Sequence, residues 1–232
     1  MKPRVSHQKT DAITLTEVLV VVLIIAVLTA LVLPVLAAAK RKSSKIGCVN
    51  CLKQVGLSFR IWSGDNGDKY PMEVSVKDGG AKESVVTGNV VLVFQVMSNE
   101  FSTPKVVYCP NDKDHMIATN FNSDFSAKNI SYFVGLDADP QHPQKFLSGD
   151  DNFAIDGVPV KSGLLELSTD APIAWTSGRH DDSYNAIFGP LRRTISFGNT
   201  GLADGSVAAV RNSGLVNLLY QTGLATNRLA IP

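Results

Sequence analysis

Between Ile13 and Ala39 nearly every residue is apolar (ITLTEVLVVVLIIAVLTALVLPVLAAA), and Lys40, Arg41, Lys42 and Lys45 close the run sharply. It is longer than the roughly 20 residues that cross a hydrocarbon core, so it predicts a membrane-spanning helix. From Val35 to Trp62 only Gly47 and Gly56 weaken helical character, each at about 1 kcal/mol. Cys48, Leu52, Val55, Phe59 and Trp62 recur at helical spacing and form one apolar stripe. Ile46, Leu57 and Ile61 lie off that stripe, among the polar Asn50, Lys53, Gln54 and Arg60. A helix from Ile13 to Ser63 would be on the order of 75 Å long. The hydrocarbon core measures only about 30 Å, so roughly half of the helix belongs to a folded head. Gly64-Asp65-Asn66-Gly67-Asp68 then stops it with turn residues.

Beyond the turn the chain reads as an ordinary globular sequence. Asn89–Asn99 predicts a helix and Lys105–Cys109 a short strand ended by Pro110. Further strands are predicted at Ile130–Leu136, Leu164–Ser168 and Ala171–Thr176, with a polar loop over Asp137–Gln144. Ile195–Leu202 and Ser206–Val210 flank Asp204-Gly205, a hairpin signal. Gly214–Ala225 predicts a terminal helix. Clustered strands with flanking helices make an α+β head on an antiparallel sheet. Three segments result: a cationic leader over 1–12, a long helix over 13–64 that is transmembrane to about residue 39, and a globular head over 65–232.

Composition adds little to this picture. The formal charge of +1 gives no reason to expect a nucleic-acid partner. Three cysteines, Cys48, Cys51 and Cys109, allow at most one internal bridge, which suits an oxidising compartment.

Glu17 changes the picture most. A lone carboxylate in an apolar run costs roughly 2–3 kcal/mol or more if buried without a partner, and a plain anchor gains nothing from it. A secretory signal normally has an apolar region of about 7–15 residues, so the run is too long for one, although Ala37-Ala38-Ala39 offers a cleavage-like site. Cutting after Ala12 would instead place a new ammonium on Ile13, one helical turn before Glu17, where a carboxylate also suits the helix dipole. The string Ala12-Ile13-Thr14-Leu15-Thr16-Glu17 followed by VLVVVLIIAVLTALVLP resembles the amino-terminal signal of type IV pilins and type II secretion pseudopilins. The resemblance implies a pilin-like fold and cleavage by a prepilin peptidase between Ala12 and Ile13. It also implies N-methylation of Ile13, a docking role for Glu17 and a helix-kinking role for Pro34. The family usually has glycine before the cut and phenylalanine after it, where this chain has Ala12 and Ile13. CVNCLKQVGLSFRIWSGDNGDKYPM (48–72) resembles the segment after the anchor in pilin-like proteins of planctomycete and verrucomicrobial bacteria. FGNTGLADGSVAAV resembles their H-x9-DG element, with Thr194 at the histidine position.

The implied function is a structural subunit of a pilus-like or secretion-pseudopilus filament, with other such subunits and the bacterial inner membrane as partners. The alternative is a tethered extracytoplasmic binding domain that does not polymerise. The leader carries Lys2, Arg4 and Lys9 against four cations on the other flank, so charge counting alone would favour a cytoplasmic head. The resemblance implies the opposite: leader inside, head in the periplasm or on the cell surface after assembly.

No catalytic motif stands out, and the protein is expected not to be an enzyme. Cys48-x-x-Cys51 lies mid-helix, away from the helix amino terminus that would lower a thiol pKa. Cys48 sits on the apolar stripe and Cys51 at its edge, so Cys48 is the better bridge partner for Cys109. Zinc on Cys48, Cys51, Cys109 and His115 has enough ligands but unpersuasive spacing. Calcium on Asp65, Asn66 and Asp68, or on Asp150 and Asp151, has oxygen ligands without an EF-hand pattern. No cofactor is therefore expected. His180-Asp181-Asp182, with Arg179 and Ser177, reads as a solvated loop. Lys40–Lys45 suits anchoring at lipid phosphates.

Overall fold

The computed structural model describes residues 14–122, 124–184 and 193–232. Ala12 and Ile13, the residues of the expected cut, lie outside them. The chain divides into two units, Met1–Ser43 and Ser44–Pro232.

Helix α1 spans Leu15–Asp65 and is the one described helix long and apolar enough to cross a membrane, with a mean hydropathy of 3.3 in its most apolar stretch. It starts on a reciprocal cap. Thr14 N–H and Oγ1–H donate to Glu17 Oε2 at 2.8 and 2.9 Å, while Glu17 N–H donates back to Thr14 Oγ1 at 3.3 Å. This is the S/T-x-x-E capping box, which satisfies orphan donors at a helix start. Pro34 lies inside the helix, where its missing N–H removes one backbone bond.

Within Ser44–Pro232 the helix buries Cys48, Leu52, Val55, Phe59 and Trp62, the stripe legible in the sequence. Ile46, Leu57 and Ile61 remain 54%, 56% and 47% exposed on other faces. After Asp65 the chain turns through Gly67 and Asp68, both at positive φ, with Asp68 N–H closing onto Ser63 O at 2.9 Å. Short helices α2 (Lys82–Val85) and α3 (Val91–Val96) follow. The latter is shorter than the predicted Asn89–Asn99. The predicted strand at Lys105–Cys109 is instead a 3₁₀ turn, Pro104–Val107: Thr103 caps it by accepting from Lys105 N–H, and Pro104 presets its first φ.

Among the described residues ten strands follow: β1 (Tyr132–Gly135), β2 (Phe146–Asp150), β3 (Phe153–Ile155), β4 (Val158–Pro159), β5 (Gly163–Ser168), β6 (Ile173–Trp175), β7 (Asp181–Tyr184), β8 (Arg193–Leu202), β9 (Val207–Arg211) and β10 (Thr226–Ile231). Helix α4, Asn212–Gln221, starts before the predicted Gly214 and ends before the predicted Ala225, the last residues giving way to a loop that leads into β10. The main sheet is antiparallel throughout, ordered β5-β10-β1-β2-β8-β7, with β9 also paired to β8. A second sheet runs β4-β3-β6. The fold is α+β.

Both faces of the main sheet are covered. Tyr132, Val134 and Leu147 join the cluster that holds the α1 stripe. Phe133 and Phe146, their neighbours in sequence, join Phe153, Trp175, Leu215 and Leu219 on the other face. The β8–β9 turn docks on α1. Arg60 Nη1 donates to Asp204 O at 2.7 Å, and Tyr70 Oη donates to Ala203 O at 2.7 Å. A Cβ on Gly56 would stand 3.2 Å from Gly205 Cα, so the helix is glycine where the turn lies against it.

Candidate functional site

Two buried polar clusters meet near the end of β2. Asp150, its last residue, lies opposite Tyr132 across the β1–β2 pair. Its Oδ2 accepts from the Asn199 backbone N–H at 2.7 Å and from Asn199 Nδ2 at 2.9 Å, and stands 3.1 Å from His180 Nε2. The same Nε2 is 3.6 Å from Cys109 Sγ, and His180 Nδ1 is 3.4 Å from Asn111 Nδ2. Asn199 Nδ2 lies 3.2 Å from Nε2, so amide nitrogens, which can only donate, approach both ring nitrogens, and Nε2 faces the Asp150 carboxylate as well. The imidazole stacks on Phe197, whose ring also lies 4.2 Å from Lys45 Nζ.

Cys109 is bonded to Cys48, with Cα atoms 5.0 Å apart, and both are fully buried. The bridge ties α1 to the loop before β1. Cys51 is a half-buried free thiol, and burial raises its pKa. Cysteine, histidine and aspartate within 4 Å suggest a nucleophilic triad, but the sulfur is tied up in the bridge. Sulfur and carboxylate also address the same imidazole nitrogen, whereas a triad uses one nitrogen for each.

The second cluster is a ring of four charges. Arg179 Nη1 donates to Asp151 Oδ1 at 2.5 Å and to Ser131 O at 3.2 Å, while Nη2 pairs with Asp112 Oδ2 at 2.6 Å. His115 Nδ1 lies 2.8 Å from Asp112 Oδ2, and Nε2 lies 3.7 Å from Asp151 Oδ2. Burial alone would raise the Asp112 carboxyl, but the His115 hydrogen bond and the Arg179 charge hold it well below the usual range. The bond to Asp112 raises the His115 pKa against the opposing effect of burial. Burial pushes the Asp151 carboxyl upward against its Arg179 partner. With His115 protonated, two carboxylates face two cations. An open cleft of about 310 Å³ borders the ring, lined by His115, Asp151, Asn152, Thr176 and Arg179 among others.

Asp112, His115 and Asp151 offer ligand atoms close enough for one metal ion. However, the guanidinium bound to both carboxylates already supplies the positive charge, and a metal would have to displace it.

Several expected groupings change. Arg179 and His180 are 8% and 1% exposed, so this part of the expected solvated loop is buried, while Ser177 is exposed. Their partners, among them Asp112, Ser131, Asp150 on β2 and Asn199 on β8, are distant in sequence, and local sequence does not reveal them. Asp150 and Asp151 diverge into separate clusters and do not pair for calcium. In the 65–68 turn, Asn66 Nδ2 donates to Trp62 O at 2.8 Å, as a helix-end bond. The histidine beside Cys109 is His180, while His115 belongs to the charge ring. Thr194 pairs with Ser183 in the β7–β8 ladder. The histidine packed against β8 is again His180, with Nε2 3.2 Å from Asn199 Nδ2. The chain between it and β8 hides this pairing from any fixed spacing.

No family model matches the chain, and no curated protein or solved structure matches it significantly.

Proposed function

We propose that this chain is a structural subunit of a type IV pilus-like or type II secretion pseudopilus filament. In this reading a prepilin peptidase cuts between Ala12 and Ile13, and Ile13 becomes the N-methylated terminus. Helix α1 then holds the subunit in the bacterial inner membrane with its head in the periplasm or, after assembly, on the cell surface. Filament growth packs the apolar helices against one another and turns the heads outward.

The observation that carries the reading is the division of labour along α1. From Leu15 to Leu36 its side chains are exposed and almost wholly apolar, with Glu17 the single charged residue between Thr14 and Ala39. From Cys48 to Trp62 the same helix supplies a stripe to the head core. A carboxylate at that depth needs compensation. The capping box supplies neutral donors, and a neighbouring subunit's amino terminus would supply the charge.

The capping box also sharpens the test. Glutamine at the third helical position can still cap, so Glu17→Gln removes the charge and keeps the box. Glu17→Gln and Glu17→Lys should both abolish filament formation while the head stays folded in the membrane fraction. Mass spectrometry of the mature protein should find a methylated Ile13. Filaments of Glu17→Gln at the normal level, or a mature chain that retains Met1 beside an active peptidase, would favour the tethered, non-polymerising domain.

A further inference from the structure

We propose that the Cys48–Cys109 pair has a second state: once reduced, the two thiolates join His180 Nε2 in a buried site for zinc or a similar thiophilic divalent cation, with the Asp150 carboxylate beside it. This goes beyond filament assembly and does not depend on it.

The two sulfurs and the imidazole nitrogen already lie close enough to share one ion, and the Asn199 amide, 3.2 Å from Nε2, would turn aside to admit it. In a tetrahedral zinc site, with bonds near 2.3 Å to sulfur and 2.0–2.1 Å to nitrogen, a thiolate and an imidazole ligand lie about 3.5 Å apart. An imidazole nitrogen and a carboxylate oxygen lie about 3.3 Å apart. Here Cys109 Sγ is 3.6 Å from His180 Nε2, and Asp150 Oδ2 is 3.1 Å from the same atom. Both sulfurs and the imidazole nitrogen fall within 4.8 Å of one another. Reduction lets the sulfurs separate to the distance two thiolates keep on one ion.

A second observation concerns Asp150. The residue is fully buried, and its Oδ1 has no hydrogen-bond partner among the described residues. A buried carboxylate left half satisfied is costly, and a cation beside it would relieve that cost. Among the described residues no guanidinium bonds this carboxylate, in contrast to the ring around Arg179. A neutral imidazole ligating through Nε2 carries its proton on Nδ1, and a flipped Asn111 amide would present its oxygen there, the outer-shell bond that metal-bound histidines usually make.

The chemistry balances. A dithiol reductant cleaves the Cys48–Cys109 bond, forms its own disulfide and leaves one hydrogen on each sulfur. The cation then displaces both protons as the thiolates ligate. Either state fastens α1 to the loop before β1, so the head would keep this attachment when the disulfide is lost.

The test uses the full-length chain in detergent micelles, reduced by a water-soluble phosphine and titrated with Co²⁺. One Co²⁺ per chain should bind, with sulfur-to-cobalt charge transfer and the strong visible absorption of a tetrahedral ion, and an equivalent of Zn²⁺ should bleach both. Cys51→Ser should leave the spectrum unchanged. His180→Gln, checked for folding by tryptophan emission before reduction, should bind at least about tenfold more weakly and lose the tetrahedral bands. Should that variant fail to fold, Cys109→Ser carries the test and should lose the charge-transfer band. The proposal is overturned if reduced protein shows no charge transfer. It is equally overturned if the signal needs Cys51 and survives Cys109→Ser, because the Cys48–Cys51 turn would then be the ligand pair.

Discussion

Replacing both Cys48 and Cys109 by alanine opens a covalent loop with a sequence separation of 61. In the chain-entropy description, closing a loop of that length removes about 14 cal/mol/K from the unfolded ensemble, or about 4 kcal/mol at 25 °C. Both sulfurs are fully buried, so the small voids left by alanine add up to about 1 kcal/mol. The variant should therefore lose roughly 4–5 kcal/mol of head stability. Urea unfolding in detergent can read this, because Trp62 and Trp175 are both buried and belong to the two separate core clusters. With a slope of about 2–3 kcal/mol per molar for a head of this size, the midpoint should fall by about 2 M at unchanged slope. Repeating the measurement in Trp175→Phe isolates the α1 side of the sheet. Cys51→Ser should move the midpoint little. A double-alanine shift below about 0.5 M at constant slope would refute the reasoning, since the bridge would then not constrain the unfolded chain.

Two further predictions concern the charge ring. Arg179→Met leaves Asp112 and Asp151 desolvated without their shared guanidinium and should cost about 3–5 kcal/mol at neutral pH. Urea midpoints at pH 7 and 5 should show the loss shrinking at the lower pH, where carboxylates of raised pKa take up protons; a variant as stable as its parent at pH 7 would contradict the ion ring. His115 has a folded pKa raised above its unfolded value, chiefly by its bond to Asp112. Its contribution is thus fully present below about pH 6.5 and is lost as pH rises through the higher folded value. His115→Gln should flatten this slope in urea midpoints taken across the range, and identical profiles would exclude the linkage.

How much of this was legible depended on whether the pattern was local. The α1 stripe was fully readable, because a helix with one buried face writes that face at fixed intervals. The β8–β9 hairpin was readable too, from the turn preference of Asp204-Gly205. Strand β2 was not. Its five residues, FLSGD, are all buried, so the polar alternation of a half-exposed strand is missing. Ser148-Gly149-Asp150 looks like a turn, yet each residue has a reason to be in a central strand. Ser148 Oγ donates to Phe133 O at 2.8 Å, and Asp150 is held by Asn199 and His180. A Cβ on Gly149 would meet the Phe133 ring at 2.7 Å. The 3₁₀ turn at Pro104–Val107 departs from its pattern for the opposite reason: two adjacent valines favour strand, while Thr103 and Pro104 locally fix a capped turn.

The candidate site was illegible because its logic is nonlocal. Cys48, Cys109, Asp150, His180 and Asn199 come from a helix, a loop, two strands and a turn, and no short spacing relates them. What the sequence did contain was an anomaly of cost. Arg179, His180, Asp150 and Asp151 sit beside strand-forming residues, and each would be expensive to bury alone. Such groups become tolerable once matched, and the matching selects which strands must pair: Asp150 needs β8 beside β2, and Arg179 needs Ser131 and Asp112 beside Asp151. A sheet in which β2 and β8 did not pair would leave the Asp150 carboxylate without its Asn199 donors. Apolar packing makes the interior dense, and these polar obligations make one strand order better than its alternatives. The same obligations hold His180 beside the one disulfide among the described residues, the arrangement on which the metal-binding proposal rests.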